Sequence, residues 1–208
     1  MRSVVPIFLK GERLRHFNSL SDNILVHNLA KGIPFDSATV DVVYHSHFLE
    51  HLDRDAAIIF MLEVKRVLKT GGILRIVVPD FEKACKAYLL HIESCEKNPD
   101  EISKHDAYVS AILEQSVRKE SFGTSQQPPF KRFIENFVLG NARKRGETHQ
   151  WMYDRYNLNA LLFSVGLKKL WIQQYNTSQI PNWNEYGLDL DERGNEYKPG
   201  SLYIEAEK

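Results

Sequence analysis

The chain has 208 residues, of which 43% are hydrophobic and 26% charged, so it is long enough to bury one sizeable core. Lysine plus arginine equals aspartate plus glutamate at 27 each, and this balance leaves no overall charge to attract nucleic acid or an anionic membrane. The sequence contains no run of about 18 apolar residues, and its first apolar stretch is too short for a signal peptide. We therefore expect a single cytoplasmic domain without a nucleic-acid or membrane partner.

The first part of the chain alternates strand and helix patterns. The runs "NILVHNL" (23–29) and "ATVDVVYHS" (38–46) predict two buried strands separated by a loop. Apolar residues then recur at helical spacing, with Asp53 placed to cap the helix and Gly71 and Gly72 placed to end it. The apolar run "ILRIVVP" (73–79) predicts a strand covered on both faces. Strand, helix and strand with short links indicate a βαβ unit and a parallel sheet.

Helical patterns replace strands from Phe81 to about Gly146. They are interrupted by the polar stretch "SFGTSQQPP" (121–129), a candidate loop, which is followed by the helical run "FKRFIENFVLG" (130–140). We interpret the chain as one domain in three parts, with a core sheet and helix over 1–80, a helical cover over 81–145 and a C-terminal helix and strand pair over 146–208.

The C-terminal part predicts one helix and two strands. Asn157 can cap the helix "LNALLFSV" and Gly166 can end it. The runs "KKLWIQQYN" (168–176) and "SLYIEAE" (201–207) predict the strands. Cys85 and Cys95 lie ten residues apart in a predicted helix, roughly 15 Å along its axis, so a disulfide between them is not expected.

The stretch "HFLEH" matches the H-x-x-E-H pattern of inverted zinc peptidases, with His47 and His51 as ligands and Glu50 beside them. The surrounding pattern disfavours that interpretation, because only two residues separate the strand segment "VDVVY" from His47, and Asp53 opens a new helix two residues after His51. The helix that would hold the ligands is barely one turn long, and no distant carboxylate is singled out as the third ligand. We therefore predict no metal ligand, and keep a zinc hydrolase as the second alternative.

Residues 25–80 carry a more extensive pattern. The segments "GIPFDS", "VDVVY", "LEHL" and "EVKRVLKTGGIL" resemble the central motifs of the class I S-adenosylmethionine (SAM)-dependent methyltransferases of the type 11 group. The runs "HQWMYDRYNLNALLFSVGL" and "SLYIEAE" resemble the closing helix and the final strand of that family. The resemblance implies an α/β fold with a Rossmann-like sheet, a helical insertion between the fifth and sixth family strands and a terminal antiparallel strand.

The resemblance also implies a cofactor, S-adenosyl-L-methionine, and a place for it. Ligands of open parallel sheets bind beyond the carboxyl ends of the strands. Asn28 and Leu29 are then expected near the adenine, and His45, Ser46 and His47 near the methionine part of the cofactor.

The resemblance makes methyl transfer the expected reaction, with a small molecule or saccharide as acceptor. His47 and His51 are the candidate catalytic bases, because an acceptor oxygen or nitrogen must lose a proton and histidine titrates near neutral pH. Glu50 is expected to orient a neighbour. His149, Trp151 and Tyr153 are candidate acceptor-binding residues, although burial alone would explain the two aromatic side chains equally well.

The chain departs from the family pattern in one respect. The family's G-x-G-x-G loop is absent, since Gly11 and Gly32 are the only glycines before residue 71. This departure predicts an N-terminally truncated sheet and leaves open whether cofactor binding is weakened or lost. It also makes a catalytically inactive methyltransferase-like interaction protein the first alternative. Sheet edges exposed by the missing elements would favour a homodimer.

Overall fold

The computed structural model describes residues 23–25, 27–116 and 148–208, and the chain divides into two compact units, Met1–Pro34 and Phe35–Lys208. In the first unit, Leu29–Lys31 forms a turn of 3-10 helix. The strand predicted over 23–29 is wrong, because the described residues before Leu29 are turn or irregular. A β-rich run becomes a strand only when a neighbour takes its hydrogen bonds. No strand is formed by the described residues of this run.

The second unit has a mixed α/β architecture, which confirms the predicted fold class for the described residues. Its longer described elements are β1 (Val40–Ser46), α1 (Arg54–Val67), β2 (Leu68–Pro79), α2 (Phe81–Lys97), α3 (His105–Gln115), α4 (Arg155–Ser164), β3 (Lys168–Gln173) and β4 (Ser201–Glu207). Short 3-10 helices lie at Leu49–His51, Pro99–Lys104 and Trp183–Tyr186. Among the helices of these described residues, none has the length and apolar character needed to cross a membrane.

The described strands form a sheet in the order β1-β2-β4-β3. β1 and β2 are parallel, which confirms the predicted parallel pair. β4 is antiparallel to both β2 and β3, which confirms the predicted terminal antiparallel strand. Because β4 runs against β2, its first residue, Ser201, lies opposite Pro79 at the carboxyl end of β2.

The connection from α1 to β2 differs from the prediction. Asp53 caps α1 as expected, accepting a hydrogen bond of 2.9 Å from the Ala56 amide. The helix ends before the two glycines, however, and β2 begins directly at Leu68. A Cβ atom on Gly72 would lie 3.0 Å from the carbonyl oxygen of Asp41 in β1, so this glycine allows the two strands to approach each other.

The start of α4 also corrects a prediction. The N-cap is Asp154 and not Asn157. The Asp154 carboxylate accepts hydrogen bonds from the amides of Tyr156 and Asn157, both at 2.8 Å, while the Asn157 side chain accepts one from the Asp154 amide at 3.1 Å. This reciprocal arrangement is a capping box with an amide at its third helical position. At the other end Gly166 has φ +81°, which confirms that it ends the helix.

In the segment predicted as a helical cover (81–145), the described residues are largely helical. α2 and α3 occupy its beginning, joined by the 3-10 helix Pro99–Lys104. The candidate loop at 121–129 and the helix predicted at 130–140 lie outside the described residues. Both cysteines are free, as expected.

A buried ion-pair network fixes the long segment between β3 and β4. Arg75 in β2 is fully buried and donates hydrogen bonds to Asp189 at 2.8 Å and Glu205 at 2.7 Å. It also donates to the backbone oxygens of Thr177 and Gln174, and its guanidinium lies 4.5 Å from the ring centroid of Trp183. One buried cation thus binds three parts of the chain and has its charge balanced by two carboxylates.

Candidate functional site

Polar side chains gather where the parallel strands end. The chain leaves β1 at His47, whose φ of +49° lies in the left-handed region, and the His47 amide donates a 2.8 Å hydrogen bond to the carbonyl of Val77 in β2. This backbone turn places Ser46 and His47 at the carboxyl ends of β1 and β2. It is the edge at which ligands of parallel sheets bind.

Glu50 lies in the short helix that follows and is almost fully buried, with 1% of the residue exposed. Its side-chain Oε1 lies 3.3 Å from His47 Nδ1 and 3.9 Å from His51 Nε2. Neither carboxylate oxygen has a hydrogen bond to another described residue. A buried carboxylate without a hydrogen bond destabilises the folded protein, and such groups concentrate at functional sites.

The backbone of Glu50 brings a distant segment to the site. Its carbonyl oxygen accepts hydrogen bonds from the amides of Gln150 at 2.6 Å and Trp151 at 3.3 Å. His149, which precedes them, packs edge to face on His51 with ring centroids 4.9 Å apart. We refer to Glu50, His47, His51 and His149 as the carboxylate–imidazole cluster.

The proton on His47 can be assigned from its hydrogen bonds. Ser201 donates its hydroxyl hydrogen to the carbonyl of Lys198 at 2.7 Å, since a carbonyl can only accept. The 2.9 Å contact between His47 Nε2 and Ser201 Oγ therefore requires that Nε2 carries hydrogen. Nδ1 then faces the Glu50 carboxylate, 3.3 Å from its Oε1.

His51, one of the two predicted catalytic histidines, can accept a proton at neutral pH. Burial lowers its pKa below the usual value, an effect opposed by the charge of Glu50 and reinforced by His149. At neutral pH the ring is therefore uncharged and has a free lone pair.

The cluster also has the donor set of a cation site. One ligand atom each from Glu50, His51 and His149 lies within 4.8 Å of the other two. This combination is not that of the H-x-x-E-H peptidases, in which the two histidines of the motif bind the metal. Here His47 is hydrogen-bonded to Ser201 and does not belong to the converging set.

His45 points into the core. Its ring packs edge to face on Phe60 at 5.6 Å and Phe48 at 6.0 Å, and neither ring nitrogen has a hydrogen bond to a described residue. Burial lowers the pKa of His45 to about 4, so the ring is neutral at physiological pH.

The predicted acceptor-binding residues border the cluster. Trp151 is about one third exposed, and the Arg54 guanidinium lies 4.4 Å from the centroid of its ring. Tyr153 is buried, its hydroxyl has no hydrogen-bond partner among the described residues, and burial raises its pKa to about 12. Its backbone pairs with Asp80 just beyond β2, so this segment lies at the same sheet edge. A cavity of about 460 Å³ is lined in part by Asp80, Arg155 and Leu202.

Two of the residues predicted to contact the cofactor lie where a ligand of a parallel sheet would bind. Ser46 and His47 are half-buried polar residues at the carboxyl end of β1. Asn28 and Leu29 lie in the first unit, and His45 lies in the core. The cofactor contacts expected for these three residues therefore stay predictions.

Two contributors were missed in the sequence interpretation. Ser201 fixes the tautomer of His47 from a position 154 residues away, and no local pattern indicates that contact. Arg54 covers Trp151, and in the sequence it is only a polar residue at the start of a helix.

Comparison with known proteins supports the interpretation of the central motifs. The model of the type 11 methyltransferase domain matches residues 8–76, about a third of the chain, and confirms the resemblance stated above. No curated protein matches the sequence.

Several solved structures are similar to the chain at low identity. A SAM-dependent methyltransferase from Archaeoglobus fulgidus is 14% identical, with a TM-score of 0.43, and the match covers 95% of this chain and 73% of that one. A methyltransferase from Mesorhizobium loti that depends on S-adenosylmethionine is 9% identical, with a TM-score of 0.41 and coverages of 94% and 74%. A SAM-dependent methyltransferase from Thermotoga maritima is 14% identical, with a TM-score of 0.39, and this chain spans only 61% of its length.

Proposed function

We propose that this protein transfers the methyl group of S-adenosylmethionine to an oxygen or nitrogen of a small acceptor, such as a saccharide, bound beside the carboxylate–imidazole cluster. The observation that carries the proposal is the buried Glu50 carboxylate with three imidazoles around it at the carboxyl edge of the sheet. The family match over residues 8–76 supports the reaction class. The acceptor class rests on the resemblance alone.

In this proposal His51 is the base and His47 is its positioning partner. SAM supplies an electrophilic methyl group, and the acceptor atom that receives it must lose a proton. His51 takes that proton because its lowered pKa leaves its ring neutral at pH 7. Glu50, 3.9 Å from His51 Nε2, then stabilises the charged ring electrostatically. His47 and Ser201 hold the carboxylate in place from the other side.

The acceptor would lie against His149, Trp151 and Tyr153. The exposed part of Trp151, beside Arg54, offers a surface for stacking a ring, and the Tyr153 hydroxyl offers a hydrogen-bond donor that no other described residue uses. The cofactor would be held at Ser46 and His47, at the carboxyl end of β1.

Cofactor binding is tested by melting the full chain with and without S-adenosylhomocysteine, the product of the cofactor. At 100 times its dissociation constant, a ligand stabilises by about 2.7 kcal/mol, and we expect the midpoint to rise by roughly 5 to 10 °C. A cooperative melt that does not move with this ligand would contradict methyl transfer. It would favour the catalytically inactive interaction protein and would mean that the absent glycine loop has abolished binding.

The roles within the cluster are tested by substitution. We expect Glu50→Gln and His51→Asn each to reduce transfer of a tritiated methyl group from SAM to a panel of monosaccharides, phenols and amines by about 10²-fold or more, with the S-adenosylhomocysteine melting shift retained. Glu63→Gln is the matched control, because Glu63 pairs with Arg66 on the partly exposed face of α1. Full activity in His51→Asn would show that His51 is not the base.

A further inference from the structure

A second cluster of potential ligand atoms lies in the helical cover, on elements other than those of the carboxylate–imidazole cluster. It consists of His91 and Cys95, one turn apart on α2, and His105, the first residue of α3. We refer to these three residues as the α2–α3 cluster. Nothing in the proposed methyl transfer uses them.

The three ligand atoms lie close together. His91 Nδ1 lies 3.1 Å from His105 Nδ1 and 3.5 Å from Cys95 Sγ, and all three atoms lie within 4.8 Å of one another. Zinc in tetrahedral sites has Zn–N distances of about 2.0 Å and Zn–S distances of about 2.3 Å, which separate two nitrogens by about 3.3 Å and a nitrogen from a sulfur by about 3.5 Å. The spacing of the ligand atoms is thus close to that of a tetrahedral site.

Hydrogen bonding satisfies only one of the two contacts of His91 Nδ1 at a time. A neutral imidazole nitrogen offers either one hydrogen or one lone pair in the plane of the ring. His91 Nδ1 has two neighbours in competition for it, His105 and Cys95. A cation accepts a lone pair from both nitrogens and from the thiolate at the same time, so it satisfies all three groups.

The surroundings of His91 provide a second observation. The residue is buried, with 4% exposed, and its Nε2 has no hydrogen bond to a described residue but lies 3.8 Å from Oε2 of Glu101. Histidines that bind metal through one nitrogen usually present the N–H of the other to a carboxylate. Tyr108 stacks on the His91 ring at 4.0 Å and fixes its plane.

From this geometry we propose that His91, Cys95 and His105 bind a Zn²⁺ ion that links α2 to α3. Two imidazoles and a thiolate suit zinc better than magnesium or calcium, which take oxygen ligands. Three protein ligands leave a fourth coordination position for water. The ion would hold together two helices whose described connection is the 3-10 helix Pro99–Lys104.

The test uses Co²⁺ as a spectroscopic probe for the zinc site in the full chain. We expect one Co²⁺ per chain, with the thiolate-to-cobalt charge-transfer absorption in the near ultraviolet and the intense visible bands of tetrahedral cobalt, and displacement of both by one equivalent of Zn²⁺. Cys95→Ser should abolish the charge-transfer absorption, and His105→Asn should weaken cobalt binding at least tenfold. Cys85→Ser is the matched control, because Cys85 lies on the same helix outside the cluster and should leave the spectrum unchanged.

The carboxylate–imidazole cluster must be distinguished from this site. Glu50→Gln should leave the cobalt spectrum unchanged if the metal binds at the α2–α3 cluster. The proposal is overturned if Co²⁺ gives no charge-transfer absorption in a folded protein, if the absorption persists in Cys95→Ser, or if Glu50→Gln removes it. Stabilisation by Zn²⁺ that is present in wild type and lost in Cys95→Ser, with an unchanged response to S-adenosylhomocysteine, would support it independently of the proposed enzyme activity.

Discussion

The histidines that end β1 show where a residue pattern predicts surroundings and where it does not. Alternate residues of a strand share a face, so His45 and His47 would be expected in the same environment. The positive φ of His47 breaks that alternation, and the two rings separate into the core and the strand-end site. The polar run at the end of the strand was predictable. The turn in the backbone depends on the contact with Val77 and was not.

Burial of His45 predicts a pH dependence of stability. Its pKa is lowered to about 4 in the folded protein because burial disfavours the charged ring, whereas in the unfolded chain it is near 6.5. The unfolded chain therefore binds the proton more strongly, and stability is lost as the pH falls from about 6.5 towards 4. Between pH 7 and pH 5 this effect should lower the free energy of unfolding of the wild type by roughly 2 kcal/mol. We expect His45→Phe to lack this decrease when unfolding is measured by urea denaturation. The control is His27→Asn, at an exposed histidine, which should show the same decrease in unfolding free energy as the wild type. An unchanged decrease in His45→Phe would contradict its assignment to His45.

Among elements, β2 illustrates what an apolar strand pattern conceals. The run "ILRIVVP" correctly predicts a buried strand, and its single charged residue, Arg75, was the available signal of a buried ion pair. Its partners could not be identified from sequence, since Asp189 and Glu205 are more than 110 residues away. The end of α1 could not be predicted either, because "LKTGG" is compatible with a helix end and with the start of a strand. In the structure these residues belong to β2, which pairs with β1.

Removing the Arg75 cation should destabilise the sheet strongly. Arg75→Leu leaves the carboxylates of Asp189 and Glu205 buried without their partner, and we expect a loss of roughly 3 to 5 kcal/mol in the free energy of unfolding, measured by urea denaturation. Lys69→Ala is the comparison, because Lys69 pairs with Asp41 at the surface and its removal should cost at most about 1 kcal/mol. Similar losses in the two variants would show that the network contributes little.

For the whole molecule, local patterns and the resemblance to a family each predicted part of the sheet. The local strand–helix–strand pattern predicted the parallel pair β1–β2, the resemblance added the antiparallel β4, and both are observed. The strand proposed over 23–29 came from composition alone and is not observed in its described residues, because a β-rich run needs a neighbouring strand. Within the described sheet, β1 pairs with a strand on one side only.

A homodimer, predicted from exposed sheet edges, is tested by sedimentation equilibrium of the full chain. An unpaired edge favours addition of a further strand, and we expect a mass twice that of the monomer. Val42→Lys places a charge on the exposed edge of β1 and should shift the equilibrium towards monomer, whereas Lys31→Ala, outside the sheet, should not. A strictly monomeric wild type would contradict the dimer, and a Val42→Lys dimer of unchanged affinity would exclude β1 as its interface.

The position of β4 affects how the protein can be assembled during synthesis. Residues 201–207 follow the other described strands in sequence, yet they lie between β2 and β3, so neither strand has this antiparallel partner until residues 201–207 have left the ribosome. Until then Arg75 lacks Glu205, and the nascent chain presents an open apolar edge along β2. A nascent chain that has not yet exposed residues 201–207 is therefore the form most in need of a chaperone.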